Sequence, residues 1–240
     1  MLSPFNLPEG IVLLITDELN SPADFLLHRS FAEHVKSAKG AKNIVLSVSD
    51  SIARWKSIAL KSNLNLAQYL ASGSLEFVDV SSHIQVPTGR SDQPNLHSLF
   101  NIIQPLLEKS DHGLALVILD DISTLEWIGF SLLDITRFTR ALRAACLQIG
   151  ATLIIRHHIV TPGEPDDMFR YLLQICTYRL EVQPLSSGRS GTVSGEIALH
   201  SGPGTIVDGQ KLIPRSLALQ YKLTDNGPTF FEKGTSSGVL

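Results

Sequence analysis

Residues 10–31, GIVLLITDELNSPADFLLHRSF, constrain the fold more than any other part of the chain. Residues 11–15 are apolar at every position, where a strand with one wet face would alternate. A strand covered on both faces belongs to a parallel sheet with helices on either side. Residues 16–20 form a polar turn, and Ser21-Pro22-Ala23-Asp24 then opens a helix. Ser21 suits the N-cap, Pro22 the first helical position and Asp24 the capping-box position. Leu27, Phe31 and Val35 continue the helix on one face.

The same strand-then-helix grammar repeats. Residues 43–48 (NIVLSV) read as a second strand, after which Ser49-Asp50-Ser51 caps a helix to Lys61 with Ile52, Trp55 and Ala59 on one face. A short helical piece, 66–71, ends at Gly73, and 75–80 (LEFVDV) is a third strand. Residues 80–94 have no periodicity and are rich in Ser, Gly, Pro and Gln, which predicts an exposed, mobile loop. Leu96, Leu99, Phe100, Ile103 and Leu107 then mark a helix, with Pro105 set to kink it or mark its last turns. Residues 114–121 (LALVILDD) are another double-sided strand, ending in two carboxylates. Ile128, Leu132, Ile135, Leu142 and Cys146 predict one long helix stopping at Gly150. A strand at 151–156, a loop at 157–165 and a helix at 166–175 complete the alternation.

From Thr177 the texture changes to period two. Residues 178–182, 192–200, 216–223 and 229–232 read as short strands of an antiparallel meander, punctuated by Asp225-Asn226-Gly227-Pro228. No internal repeat and no long linker divides the chain. One domain over 1–240 is expected, with an alternating part at 1–176 and the meander at 177–240.

The chain has 240 residues, 43% of them hydrophobic, enough for a full core. A net charge of −3 and a pI near 6.2 argue against an autonomous nucleic-acid binder, though not against a share in a composite RNA surface. Cys146 and Cys176 sit in apolar contexts without CxxC spacing and read as buried thiols in a reducing compartment. No apolar run reaches the ~18–20 residues of a membrane span. The opening MLSPFNLPEG lacks the regions of a signal peptide. A soluble, intracellular protein is expected, in the cytoplasm and with the nucleus also compatible.

The first turn sits where phosphate-binding proteins place a glycine-rich loop. Here it has no glycine and no lysine but carries Asp17, Glu18 and, with the helix start, Ser21 and Asp24. Ser21 and Asp24 can satisfy the free N–H groups that a phosphate would use. One like-charge pair at ~4 Å opposes binding by on the order of 4 kcal/mol at an effective dielectric of ~20. Nucleotide binding in the usual pose is therefore not expected, and no cofactor is assigned.

The strand at 114–121 resembles a Walker B segment, whose acid supports a magnesium ion and its water. Asp120 and Asp121 equally suit a buried strand meeting solvent, and they gain a catalytic meaning only with a phosphate loop. Arg137, Arg140 and Arg143 form a stripe on the long helix. It reads first as a solvated face with Asp134 as counter-charge, and second as a subunit or RNA contact. His157 and His158 open the loop after the fifth parallel strand. Adjacent histidines on extended chain point apart, which disfavours a metal and leaves a role in contacts. His28 and His34 read as surface or boundary residues. No Ser/His/Asp set, Cys/His pair or metal spacing stands out.

The order of these parts resembles the RecA-like fold: a first strand and helix at the nucleotide position, an apolar fourth strand ending in Asp-Asp, then a meander. The expected class is α/β, a P-loop NTPase-type, mostly parallel sheet flanked by helices and extended by a C-terminal antiparallel β-meander. The meander entry, LEVQPL at 180–185 through Gly188 to VSGEI at 193–197, resembles the RecA-like subunits of Elongator. The LQYKL, FFEKG and Val239-Leu240 pieces of the C-terminus, with the degenerate first turn, are similar to the family of the sixth Elongator subunit.

That resemblance implies a non-catalytic subunit assembling with the fourth and fifth subunits into a hexameric ring. The ring joins the catalytic subcomplex and binds tRNA, supporting carboxymethyl-type modification of the wobble uridine. It also implies that segments 123–127 and 157–165 face RNA or the ring channel. Two other readings follow from the residues. One is a divergent RecA-like ATPase or recombination mediator using Asp120 and Asp121; the other is an RNA-binding module in its own right.

Overall fold

A computed structural model describes residues 4–38, 40–84, 96–109, 115–188, 190–205, 210–225 and 227–234. The parallel strands are β1 (Val12–Glu18), β2 (Asn43–Ser47), β3 (Leu75–Asp79), β4 (Leu116–Asp120), β5 (Thr152–Ile159) and β6 (Tyr178–Gln183). Antiparallel to these in turn run β7 (Gly195–Ser201), β8 (Leu219–Thr224) and β9 (Gly227–Phe231). Among the described residues they make one nine-stranded sheet, ordered β3-β2-β4-β5-β1-β6-β7-β8-β9. The expected parallel sheet with an antiparallel extension is therefore the fold observed.

Two apolar layers follow from the two-residue period of a strand. Val12 and Leu14 of β1 face one layer, while Leu13 and Ile15 face the other. The first layer holds α4 (Val80–His83), α5 (His97–Glu108), α6 (Ile122–Ile128), α7 (Leu132–Gln148) and α8 (Asp167–Ile175). The second holds α1 (Asp24–Ser37), α2 (Ile52–Lys61) and α3 (Leu66–Ala71), and it continues under the meander through Tyr178, Leu180, Ile197 and Tyr221. Trp55 of α2 is fully buried there, edge-on to Phe31 and Phe77. Cys146 and Cys176 are both buried, which pushes their thiols up to about 12 and about 11.

Several expected boundaries move. The long helix is two: α6 ends at Gly129, whose φ of 112° turns the chain, and α7 restarts behind Ser131. Ser131 Oγ accepts the Asp134 N–H at 3.1 Å and donates to the Asp134 carboxylate at 2.6 Å, a side-chain N-cap inside the expected helix. Ile128 belongs to the first piece. The strand expected at 151–156 runs on to Ile159, so His157 and His158 are strand residues and not the start of a loop. Val80–His83 is a helical turn with Val80 buried, so the start of the predicted loop is ordered. The rest of that stretch, 85–94, lies outside the described residues. Pro105 falls in the last turn of α5.

Candidate functional site

Ligands of open α/β sheets bind beyond the carboxyl ends of the parallel strands. Here that end is lined with acids: Asp17 and Glu18 on β1, Asp79 on β3, Asp120 on β4 and Asp121 just after it, with Asp50 shortly beyond β2. β5 answers with Arg156, His157 and His158. The parallel register places Ile15 beside Arg156, Thr16 beside His157 and Asp17 beside His158, so the sheet itself pairs the charges.

Asp17 occupies the entrance to α1. Its Oδ2 accepts the Ala23 N–H at 2.6 Å. A buried carboxylate of the chain thus stands where helix N–H groups and the helix dipole would draw an anion. The expected capping arrangement is corrected. α1 begins at Asp24 with Ala23 as N-cap, Ser21 Oγ is buried without a hydrogen-bond partner, and Asp24 faces Arg54 at 3.5 Å. The cause is the turn in which the Ser21 N–H bonds Glu18 O at 2.9 Å. That turn holds Ser21 short of the cap and leaves the free N–H to Asp17.

The remaining groups neutralise one another. His158 Nδ1 stands 2.5 Å from Asp17 Oδ1 and its Nε2 3.6 Å from Asp121 Oδ2. Burial pulls the His158 pKa down, but the bond and charge of Asp17, then Asp121, outweigh it, and the net shift is upward. Arg156 Nη2 reaches Asp120 Oδ1 at 3.1 Å, and Ser47 Oγ donates to Asp120 Oδ2 at 3.3 Å. Burial raises the Asp120 carboxyl to about 6 although Arg156 opposes it. Asp121 sits at φ 62° before α6 and accepts the Thr124 hydroxyl at 2.5 Å. Each member of the Walker-B-like pair thus has an internal partner, while Asp121 Oδ1 is buried without a hydrogen bond. Glu18 lies outside this knot. It accepts a long bond from Gln183 Nε2 at 3.4 Å, and burial raises its pKa against the pull of Arg215.

His157 joins a second chain that the sequence did not reveal. Its Nδ1 lies 2.9 Å from Ser123 Oγ and its Nε2 3.1 Å from Asp166 Oδ2. Ser123 Oγ already accepts the His158 N–H at 2.8 Å, so its own proton points to His157 Nδ1 and the imidazole carries its proton on Nε2. The order Ser-His-Asp resembles a hydrolase relay. Ser123 and His157 are 2% and 1% exposed, however, and Asp166 also caps α8 through the Phe169 N–H. The chain ties α6, β5 and α8 together.

Arg156 was the residue the sequence could have yielded. A lone guanidinium in ATLIIR, buried on both faces, requires a counter-charge on a neighbouring strand. Ser123 and Asp166 carried no such signal. The arginine stripe of α7 is not uniform: Arg137 is exposed, Arg140 lies over the Tyr171 ring at 5.9 Å, and Arg143 is half-buried. His34 is buried against Asn43 at 2.8 Å, and His28 packs on Trp55, its pKa lowered to about 4 by burial. Among the described residues no group of three or more His, Cys, Asp or Glu side chains is placed to hold a metal ion. No helix among them is long and apolar enough to cross a membrane.

Strand order and meander define a RecA-like fold. A KaiC-like protein from the hyperthermophilic archaeon Pyrococcus horikoshii OT3 matches with a TM-score of 0.68, covering 94% of this chain and 91% of its own at 10% identity, a likeness of fold alone. A family model described as Elongation complex protein 6 matches residues 1–225, and the chain belongs to that family. Elongator complex protein 6 of Danio rerio is 24% identical over 262 residues, 99% of this chain and 96% of its own length. The Homo sapiens protein of that name is 23% identical over 265 residues, 99% and 96% of the two lengths.

Proposed function

We propose that this chain is a non-catalytic, RecA-like subunit of Elongator. In this reading it assembles with the fourth and fifth subunits into a hexameric ring, and the ring joins the catalytic subcomplex. The ring binds tRNA and supports carboxymethyl-type modification of the wobble uridine, in the cytoplasm and also the nucleus. The chain contributes surfaces and no chemistry, and it folds as one domain. Family membership supports the complex. The observation that carries the non-catalytic part is the buried Asp17 carboxylate at the entrance to α1, held at 2.6 Å by Ala23 N and at 2.5 Å by His158. A phosphate entering there meets a buried negative charge.

Calorimetry of the isolated chain with Mg-ATP is expected to show no binding. Mixing with the two paralogous subunits is expected to give a stable assembly of defined mass. Tight Mg-ATP binding, or an ATPase activity lost in an Asp120→Asn/Asp121→Asn double variant, would establish the enzyme reading instead. The pairing of Asp120 with Arg156 speaks against that enzyme.

A further inference from the structure

α7 is the middle helix of its layer, packed against α5 and against α8. Its inner face sends Ile135, Phe138, Leu142 and Cys146 into the core. Its outer face carries Leu133, Arg137, Arg140, Ala144 and Leu147, all exposed. These positions advance by four, three, four and three residues. A mean step of about 3.5 residues keeps them on one narrow stripe, the spacing by which one helix seats against another. Leu133 is 57% exposed and Leu147 45%, and they stand about 21 Å apart along the axis. Two large apolar side chains thus bracket two guanidinium groups, and Ala144 between them leaves room for a partner backbone.

The centre of the stripe is positive and is not neutralised by the described residues. None of Arg137, Arg140 and Arg143 has an ion-pair partner among them. Asp134, the counter-charge expected from the sequence, takes the Ser131 hydroxyl at 2.6 Å. Asp167 of α8 pairs with Arg170 at 3.0 Å, and Glu108 of α5 accepts the Gln104 amide at 2.9 Å. Glu126 is exposed on α6, before the Gly129 corner, and Lys109 of α5 has the sign of the stripe itself. The Arg140 guanidinium lies 5.9 Å from the centre of the Tyr171 ring, and the Tyr171 hydroxyl donates to Thr136 O at 2.9 Å. Arg143, at the flank, keeps a buried Nε–H without a hydrogen-bond partner.

We propose that this outer face of α7 docks an acidic amphipathic helix of a partner protein. Partner carboxylates meet Arg137 and Arg140, and partner apolar side chains cover Leu133, Ala144 and Leu147. A guanidinium takes a carboxylate through two parallel hydrogen bonds, which fixes register as well as sign. An exposed ion pair adds little by itself, so the leucines at the two ends supply the area that holds the helix. A nucleic acid satisfies the arginines but leaves both leucines wet, which favours a protein. The proposal rests on the reading of the chain as a subunit only in expecting a protein partner. It adds the surface and the chemistry of the occupant.

Gln148 is exposed at the end of the stripe. With p-benzoylphenylalanine in its place, the full chain is purified within its complex and irradiated, and the crosslinked peptide is sequenced by mass spectrometry. The crosslink is expected on a protein segment with apolar residues at helical spacing and carboxylates in the turns that face Arg137 and Arg140. Adding Arg137→Glu/Arg140→Glu is expected to leave the melting curve in place, because both side chains are exposed, and to lower the crosslink yield at least tenfold. Changing the partner carboxylates to lysine is expected to restore that yield. A crosslink to RNA assigns the face to nucleic acid and overturns the proposal. So does a segment without carboxylates, or a yield indifferent to the charge reversal. A complex that forms with its sister subunits while position 148 crosslinks nothing removes this docking face and leaves the proposed function standing. A chain that enters no complex overturns both.

Discussion

At the residue scale, the carboxyl ends of the parallel strands hold their charges in internal pairs, and this has a pH signature. The folded pKa of His158 is raised above its ordinary 6.5. Its contribution to stability is complete below about 6.5 and is lost as pH rises through the folded value. A His158→Gln variant is expected to lose about 3 kcal/mol at pH 6, because it strands Asp17 beside Asp121. The gap to wild type narrows as pH rises above 6.5. Urea titrations of both proteins from pH 6 to 9 measure it, and a constant gap would refute the pairing. Asp120 titrates in both proteins and largely cancels in the difference. Glu181 behaves in the opposite sense. Burial opposes its charge, but His200 at 2.9 Å, Arg179 at 2.6 Å and Arg215 at 2.7 Å hold its pKa down to about 2. Its contribution is present above its ordinary 4.5 and fades as pH falls toward 2. Glu181→Gln is expected to be destabilising at pH 7 by about 3 kcal/mol and close to neutral near pH 2, as read by acid-dependent denaturation curves.

At the scale of elements, what was legible depended on whether the signal was periodic. The apolar run at 11–15 and the double-sided strand at 114–121 announced a parallel sheet because burial on both faces removes alternation. The alternation after Thr177 announced the meander for the converse reason. The split of the long helix was missed because Ile128 and Leu132 keep helical spacing across Gly129, and periodicity is blind to one left-handed residue. Ser131 and Asp134 spelled out the restart locally. Ser131→Ala is expected to destabilise the fold by about 1 kcal/mol in chemical denaturation. The site was legible as a position and not as a mechanism. Asp17 could be read as an acid at the phosphate site, but its bond to Ala23 depends on a turn and its partner His158 on strand register. One close approach gives a sharper test. A Cβ on Gly202 would meet Cys176 O and stand 2.7 Å from Cys176 Sγ, whereas one on Gly191 meets nothing within 4 Å. Gly202→Ala is expected to lower stability by about 3 kcal/mol, with Gly191→Ala within about 0.5 kcal/mol of wild type.

At the scale of the molecule, the meander and the alternating part share strands, core and clasp. β6 pairs with β1 on one side and β7 on the other, so one sheet runs through both halves. The second apolar layer runs from Trp55 and Phe31 of the helices to Tyr178, Ile197 and Tyr221 of the meander. The outermost hairpin is clasped from behind: Phe5 meets Phe230 edge-on at 5.7 Å, and Arg29 of α1 lies over the same ring while donating to Pro228 O at 2.9 Å. An antiparallel extension with its own core would unfold separately, but this one borrows its core from α1. Unfolding is therefore expected to be a single transition, with Trp55 fluorescence and the near-ultraviolet signal of Tyr178 and Tyr221 giving one midpoint. A chain ending at residue 176 is expected to lose cooperative melting, because it bares β1 and the layer beneath Tyr178. Two separated midpoints, or a truncated chain that melts sharply, would show that the meander is an appendage.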